Sequence, residues 1–139
     1  MFGMFKAQTA FDLTPRNALV VSLIYCMGAD GEMDQEEIGH LVSVLGPRAS
    51  RENLEACMKY ARANKPDTFL AAVAPTLNDA QKLCILLNMV DSAMADGEAE
   101  AEEQALFARF QAAFGMSEEV LRSHFQTLVA KNDRAVLDR

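Results

Sequence analysis

Apolar residues recur three and four apart along nearly the whole chain, and no stretch alternates with the two-residue period of a half-buried strand. The pattern predicts an all-α fold, a compact seven-helix bundle. Thr14-Pro15 supplies a cap and a residue suited to the first helical position, and Leu19, Val20, Leu23, Ile24 and Met27 form one stripe behind it. The first helix is therefore expected over 15–29, stopped by Gly31. Asp34 with Glu37 three residues later reads as a capping box ahead of Ile38, Leu41, Val42 and Leu45, closed by Gly46-Pro47. Ser50 caps a third helix through Leu54, Met58 and Tyr60, which ends near Asn64-Lys65-Pro66. A short fourth, Asp67 to Ala74, halts at Pro75.

Asn78 opens a long fifth helix through Leu83, Ile85, Leu86, Met89 and Val90 to Ala95, before Asp96-Gly97. A sixth is expected from Glu100 to Phe114, where Gly115 ends it. Ser117, Glu118 and Glu119 begin a seventh through Leu121, Phe125, Leu128 and Val129. This divides the chain into an extension over 1–13, one helical domain over 14–130 and a frayed tail over 131–139. A domain of this size buries roughly 68–70% of its extended surface, so one core suffices and a second domain has no room.

Cys26, Cys57 and Cys84 are odd in number, lack any CxxC spacing and sit in apolar helical runs, which predicts free core thiols rather than a disulfide framework. Met1 to Phe11 lacks the basic and continuously apolar regions of a secretory leader, and no apolar run approaches 18 residues. A cytoplasmic protein without membrane insertion is expected.

The joints between helices one and two and between helices five and six repeat. Ala29-Asp30-Gly31-Glu32-Met33-Asp34-Gln35-Glu36-Glu37 and Ala95-Asp96-Gly97-Glu98-Ala99-Glu100-Ala101-Glu102-Glu103 lie 66 residues apart and share six of nine residues. Asp34 against Glu100 keeps a carboxylate at a seventh position. The repeat predicts a pseudo-twofold arrangement of helix, acidic turn and helix. Windows 30–37 and 96–103 hold ten of the chain's twenty carboxylates and no base. The remaining residues carry 13 bases against 10 acids, or +3, so the whole excess of the net −7 resides in these two joints.

Part of that charge has a structural use. Glu36, Glu37, Glu102 and Glu103 fall in first helical turns, where each gains about 0.3–1 kcal/mol from the macrodipole. Asp30 and Asp96 stand instead at the negative end of the preceding helix, the wrong sign unless a cation compensates. Two carboxylates about 5 Å apart repel by about 3 kcal/mol at an effective dielectric of 20, which a hard divalent ion would relieve. Asp30, Glu32, Asp34 and Glu37 in the first joint, with Asp96, Glu98, Glu100 and Glu103 in the second, are the candidate ligands. They offer oxygen alone, which favours calcium or magnesium over zinc. An EF-hand does not fit: with Gly31 sixth in the loop, Cys26 and Gly28 would be the first and third ligands, and Ser92 and Met94 in the second copy.

At these residues the sequence resembles the tellurite-resistance TerB family, in which a seven-helix domain carries two related Asp-Gly-x-x-x-x-x-Glu turns. Asp30 to Glu37 and Asp96 to Glu103 both match, and the resemblance extends over residues 14–130. It implies a helical bundle with an acidic, metal-binding face in bacterial responses to tellurite, toxic compounds or phage. Ala99 stands where the first copy has Met33, so the second turn is expected to pack less firmly.

Other chemistry is less well supported. Glu37 and His40 form a Glu-x-x-His pair on one helix, but the second half has Leu106 at the equivalent place, so a carboxylate-bridged di-iron site is incomplete. Eight methionines and eight phenylalanines are spread at core spacing. No catalytic constellation or phosphate-binding glycine loop occurs, so no enzyme is expected. Dispersed bases on an acidic chain argue against nucleic acid. The rival to cation binding is an acidic face that docks a basic protein partner.

Overall fold

The computed structural model describes residues 11–28, 33–48, 50–95 and 101–139. Within them lie seven α-helices, three short 3-10 turns and no strand: α1 Pro15–Cys26, α2 Gln35–Leu45, α3 Arg51–Ala63, α4 Pro66–Val73, α5 Asp79–Ala95, α6 Ala101–Phe114 and α7 Glu118–Asn132. Among these residues no helix is long and apolar enough to cross a membrane.

Local capping places the helix starts. Thr14 Oγ1 accepts from the Asn17 amide at 3.1 Å, Ser50 Oγ from Asn53 at 3.0 Å and Ser117 Oγ from Val120 at 3.2 Å. Asn78 and Gln81 form a reciprocal pair, each amide donating to the other's side chain at 2.8 and 2.9 Å. These bonds satisfy amides that the first helical turn leaves without partners. The ends differ more from expectation. α1 stops at Cys26, where Gly28 adopts φ +79° and the Met27 amide bonds back to Leu23. The anticipated stops at Gly31 and Gly97 lie outside the described residues. In place of a frayed tail, α7 continues to Asn132 and a 3-10 turn covers Arg134–Asp138.

α1 packs against α2, α3 and α5; α5 in turn contacts α6 and α7, and α4 lies on α6. Surrounded in this way, α1 is not the one-sided stripe that the spacing suggested. Val20 and Val21 point about 100° apart around the helix axis, yet they and Leu23 are fully buried. A helix apolar on every side belongs in the middle of a bundle. Its polar groups have internal partners. Ser22 Oγ donates to the Ala18 carbonyl at 2.7 Å, and Tyr25 Oη donates to the Asn64 carbonyl at 2.6 Å. Asn17, 8% exposed, donates to the Asp12 carbonyl and accepts from Asn53 Nδ2 at 3.0 Å, with the Cys57 thiol 3.7 Å away.

Other expected core positions move to the surface. Cys84 is exposed and lies 3.5 Å from Asn88 Nδ2, because its side of α5 is left uncovered. Val42 and Val129 are also exposed. Cys57 is buried and Cys26 half-buried; all three cysteines are free.

Phe69 on the short α4 holds the bundle at its centre. Fully buried, its ring lies 5.6 Å from Tyr25 of α1, 6.2 Å from Tyr60 of α3 and 5.9 Å from Phe110 of α6. The neighbouring Asp67 only makes an exposed ion pair with Arg109 at 2.6 Å, a class of contact worth about 0–1 kcal/mol. Phe69→Ala is expected to cost about 3–5 kcal/mol, and Asp67→Ala no more than about 1. Urea unfolding followed by circular dichroism measures both, and similar losses for the two variants would contradict the central role of the Phe69 ring.

Candidate functional site

Of the eight candidate ligands, Asp30, Glu32, Asp96, Glu98 and Glu100 lie outside the described residues. Asp34 is the exposed N-cap of α2, and half-buried Glu37 stands at its third position. Their bonds are reciprocal: Asp34 Oδ1 accepts from the Glu37 amide at 2.8 Å, and Glu37 Oε1 accepts from the Asp34 amide at 3.1 Å. The capping box is thus present. Each carboxylate has about four lone-pair sites, so a cap hydrogen bond leaves capacity for a further ligand. Glu103 is half-buried in the first turn of α6. Among the described residues no three His, Cys, Asp or Glu side chains gather as a metal-holding group. Asp34, Glu37 and Glu103 by themselves therefore make no such centre.

What the fold does bring together is a polar cleft of about 550 Å3. One wall is the start of α2, with Asp34, Glu36, Glu37 and His40. The facing wall is α5, with Asn88, Asp91 and Ser92, on the approach to the second acidic joint. The end of α7 closes the cleft with Lys131 and Asn132, followed by Arg134. Asn132 Nδ2 donates to Asp91 Oδ1 at 2.8 Å, and Lys131 Nζ lies 3.4 Å from the same oxygen. His40 is an exposed side chain at this cleft, as its solitary Glu-x-x-His spacing suggested. Asp91, Lys131 and Asn132 carry no local sequence signal, since about forty residues separate the partners and only the packing of α7 on α5 joins them.

Charge from the second joint also reaches the end of the first half. The Cys26 thiol, in the last residue of α1, is pushed up to about 12 by burial and then by the nearby Glu103 carboxylate. Burial alone pushes Cys57 up to about 12. Tyr25 is raised to about 12 by burial, with Tyr60 adding to it. Both thiols stay protonated at neutral pH, which makes them poor nucleophiles.

These shifts set an alkaline limit on stability. From ordinary values of 9.0 for the thiols and 10.0 for Tyr25, the unfolded chain loses protons that the native state keeps until about pH 12. The unfolded state then binds fewer protons, so stability falls as pH rises through this window and these groups leave it unchanged below it. Urea unfolding at about pH 7.5 and about pH 10 should show that decline, and Cys26→Ala/Cys57→Ala should flatten it. Equal pH dependence in the wild type and the double variant would contradict the assignment.

Comparison with known proteins places this arrangement. No curated protein and no solved structure matches the chain. The family described as Tellurite resistance protein TerB matches residues 16–124, from the first turn of α1 into α7 and across both acidic joints. Over that span the described helices follow the order anticipated from the sequence, and the chain belongs to the TerB family.

Proposed function

We propose that this TerB domain is a non-enzymatic binder of divalent cations, in which the two acidic joints converge on a shared face. The observation that carries the reading is the polar cleft in which the start of α2, after the first joint, faces α5, the helix that leads to the second; the Glu103 charge that raises the Cys26 thiol accords with it. The cleft supports it by setting Asp34, Glu36 and Glu37 against Asp91. Helix order supports the internal repeat: α1 contacts α2 and α3 as α5 contacts α6 and α7, and the helices after the two joints start at Gln35 and Ala101, 66 residues apart.

In this reading Asp30, Glu32, Asp34 and Glu37 serve one joint, and Asp96, Glu98, Glu100 and Glu103 the other. Calcium or magnesium suits an all-oxygen set. The domain would act in a bacterial cytoplasmic stress response of the tellurite-resistance type. A second reading, docking of a basic partner on the same acids, draws on the Lys131 contact with Asp91, in which a carboxylate of the cleft already engages an ammonium group.

Calcium and magnesium titrations followed by calorimetry and amide NMR are expected to concentrate shifts at residues 30–37 and 96–103. Asp30→Asn/Asp96→Asn should lose metal affinity while leaving the metal-free protein as stable or slightly more so, since Asp96 directly follows the C-terminus of α5, whose end opposes its charge, and α1 ends at Cys26, ahead of Asp30. Asp34→Ala, which removes a cap, should cost about 0.5–2 kcal/mol with or without metal. Wild-type affinity in the double variant would refute the ligand assignment, and shifts absent at millimolar metal would favour the basic partner.

A further inference from the structure

An open groove of about 1000 Å3 separates α2 from α3, far along the chain from the acidic cleft's α5 and α7 walls. Its floor is apolar, formed by Ile38 and Val42 of α2 with Leu54 and Met58 of α3; Val42 remains 43% exposed. Arg51, Lys59 and Arg62 line its α3 side. The only acid among the described lining residues is Glu55, which pairs with Arg51 at 3.5 Å. An apolar slot edged by a surplus of cations thus occurs on a chain whose net charge is −7.

The groove between α6 and α7 isolates what is distinctive. It measures about 500 Å3 and is lined by α7 residues in the same succession, with Leu121 and Phe125 where α3 has Leu54 and Met58. At the places of Arg51, Lys59 and Arg62, however, α7 has Glu118, Gln126 and Val129, and its single cation, Arg122, stands at the place of Glu55. Packing of the helix pair accounts for the apolar floor in both grooves. It does not require a surplus of cations, which edges the α2/α3 groove alone: three cations against Glu55 there, but Arg122 against Glu118 in the other.

We propose that the α2/α3 groove docks an acidic amphipathic helix of a partner protein. The cationic row from Arg51 to Arg62 runs about 16 Å along α3 at 1.5 Å per residue, the length of three helical turns. A helix of this kind would set its apolar anchors on Ile38, Val42, Leu54 and Met58 and its acidic flank against Lys59 and Arg62. Charge complementarity steers and orients such an encounter, while the floor supplies area that a phosphate backbone has no use for. A concave floor also favours a helix over a flat bilayer surface.

The test uses the full chain and a fluorescein-labelled synthetic helical peptide with leucines at i, i+3, i+4 and i+7 and glutamates on both flanks. Anisotropy should report binding, with amide shifts at Ile38, Val42, Leu54 and Met58. Lys59→Glu/Arg62→Glu, both exposed positions, should keep the wild-type circular dichroism and weaken binding about tenfold or more. Val42→Asp should weaken it as well. Equal binding of a lysine-flanked peptide, shifts at Leu121 to Val129 instead, or no binding at millimolar peptide would overturn the proposal. So would peptide binding that appears only in Phe2→Ser/Phe5→Ser, which would assign the groove to the chain's own N-terminal segment. Binding confined to phosphatidylglycerol-containing vesicles and lost in Lys59→Glu/Arg62→Glu would replace the helix by a membrane.

Discussion

The fold depends on enclosing α1. Its consecutive Val20 and Val21 are both fully buried, so neighbours must cover it from several sides, and α2, α3 and α5 do so. Enclosure also means that water cannot satisfy its polar groups, and leaving such a group without a partner costs about 1–3 kcal/mol. Asn17, Ser22 and Tyr25 consequently bond to carbonyls or to Asn53. Two of these bonds tie α1 to the α3 region, which orients the helix as well as burying it. Phe69 completes the enclosure from a helix of only eight residues, because one ring reaches Tyr25, Tyr60 and Phe110 together.

The placement of charge follows from that packing. α1 and α5 each lead into an acidic joint and pack on one another, so segments 66 residues apart in the chain leave from adjoining helices. The Glu103 charge then helps raise the Cys26 thiol, and Asp34, Glu36 and Glu37 share a cleft with Asp91. The end of α7 contributes Lys131 and Asn132 to the same carboxylate, countering part of the local charge. Cations are also drawn up on the exposed side of α3, where Arg51, Lys59 and Arg62 border an apolar groove. The molecule thereby presents two polar environments of opposite character, although its net charge alone describes only one of them.

Local interactions made most of this legible in sequence. The caps at Thr14, Asp34, Ser50 and Ser117 act within three residues, so the residue types announced the helix starts, and the paired Asp-Gly turns announced the family. Helix ends were less legible, since several residues can close a helix: Gly28 ends α1 ahead of the expected position. Helical spacing identifies a face without stating how many neighbours will cover it. Spacing alone thus predicts a one-sided α1 and core positions for Cys84, Val42 and Val129, which the packing leaves exposed.

The sequence by itself determined the all-α class, the capped helix starts and the concentration of excess negative charge in two related joints, because each depends on composition or on bonds between near neighbours. Only the tertiary structure decided that α1 is enclosed, that Asn17 is a buried link between α1 and α3, and that Lys131 and Asn132 meet Asp91. It also decided that the apolar residues of α2 and α3 leave a groove with cations beside it. These are contacts between residues about 16 to 41 positions apart, for which side-chain type specifies what a partner must be but chain packing chooses which residue it is.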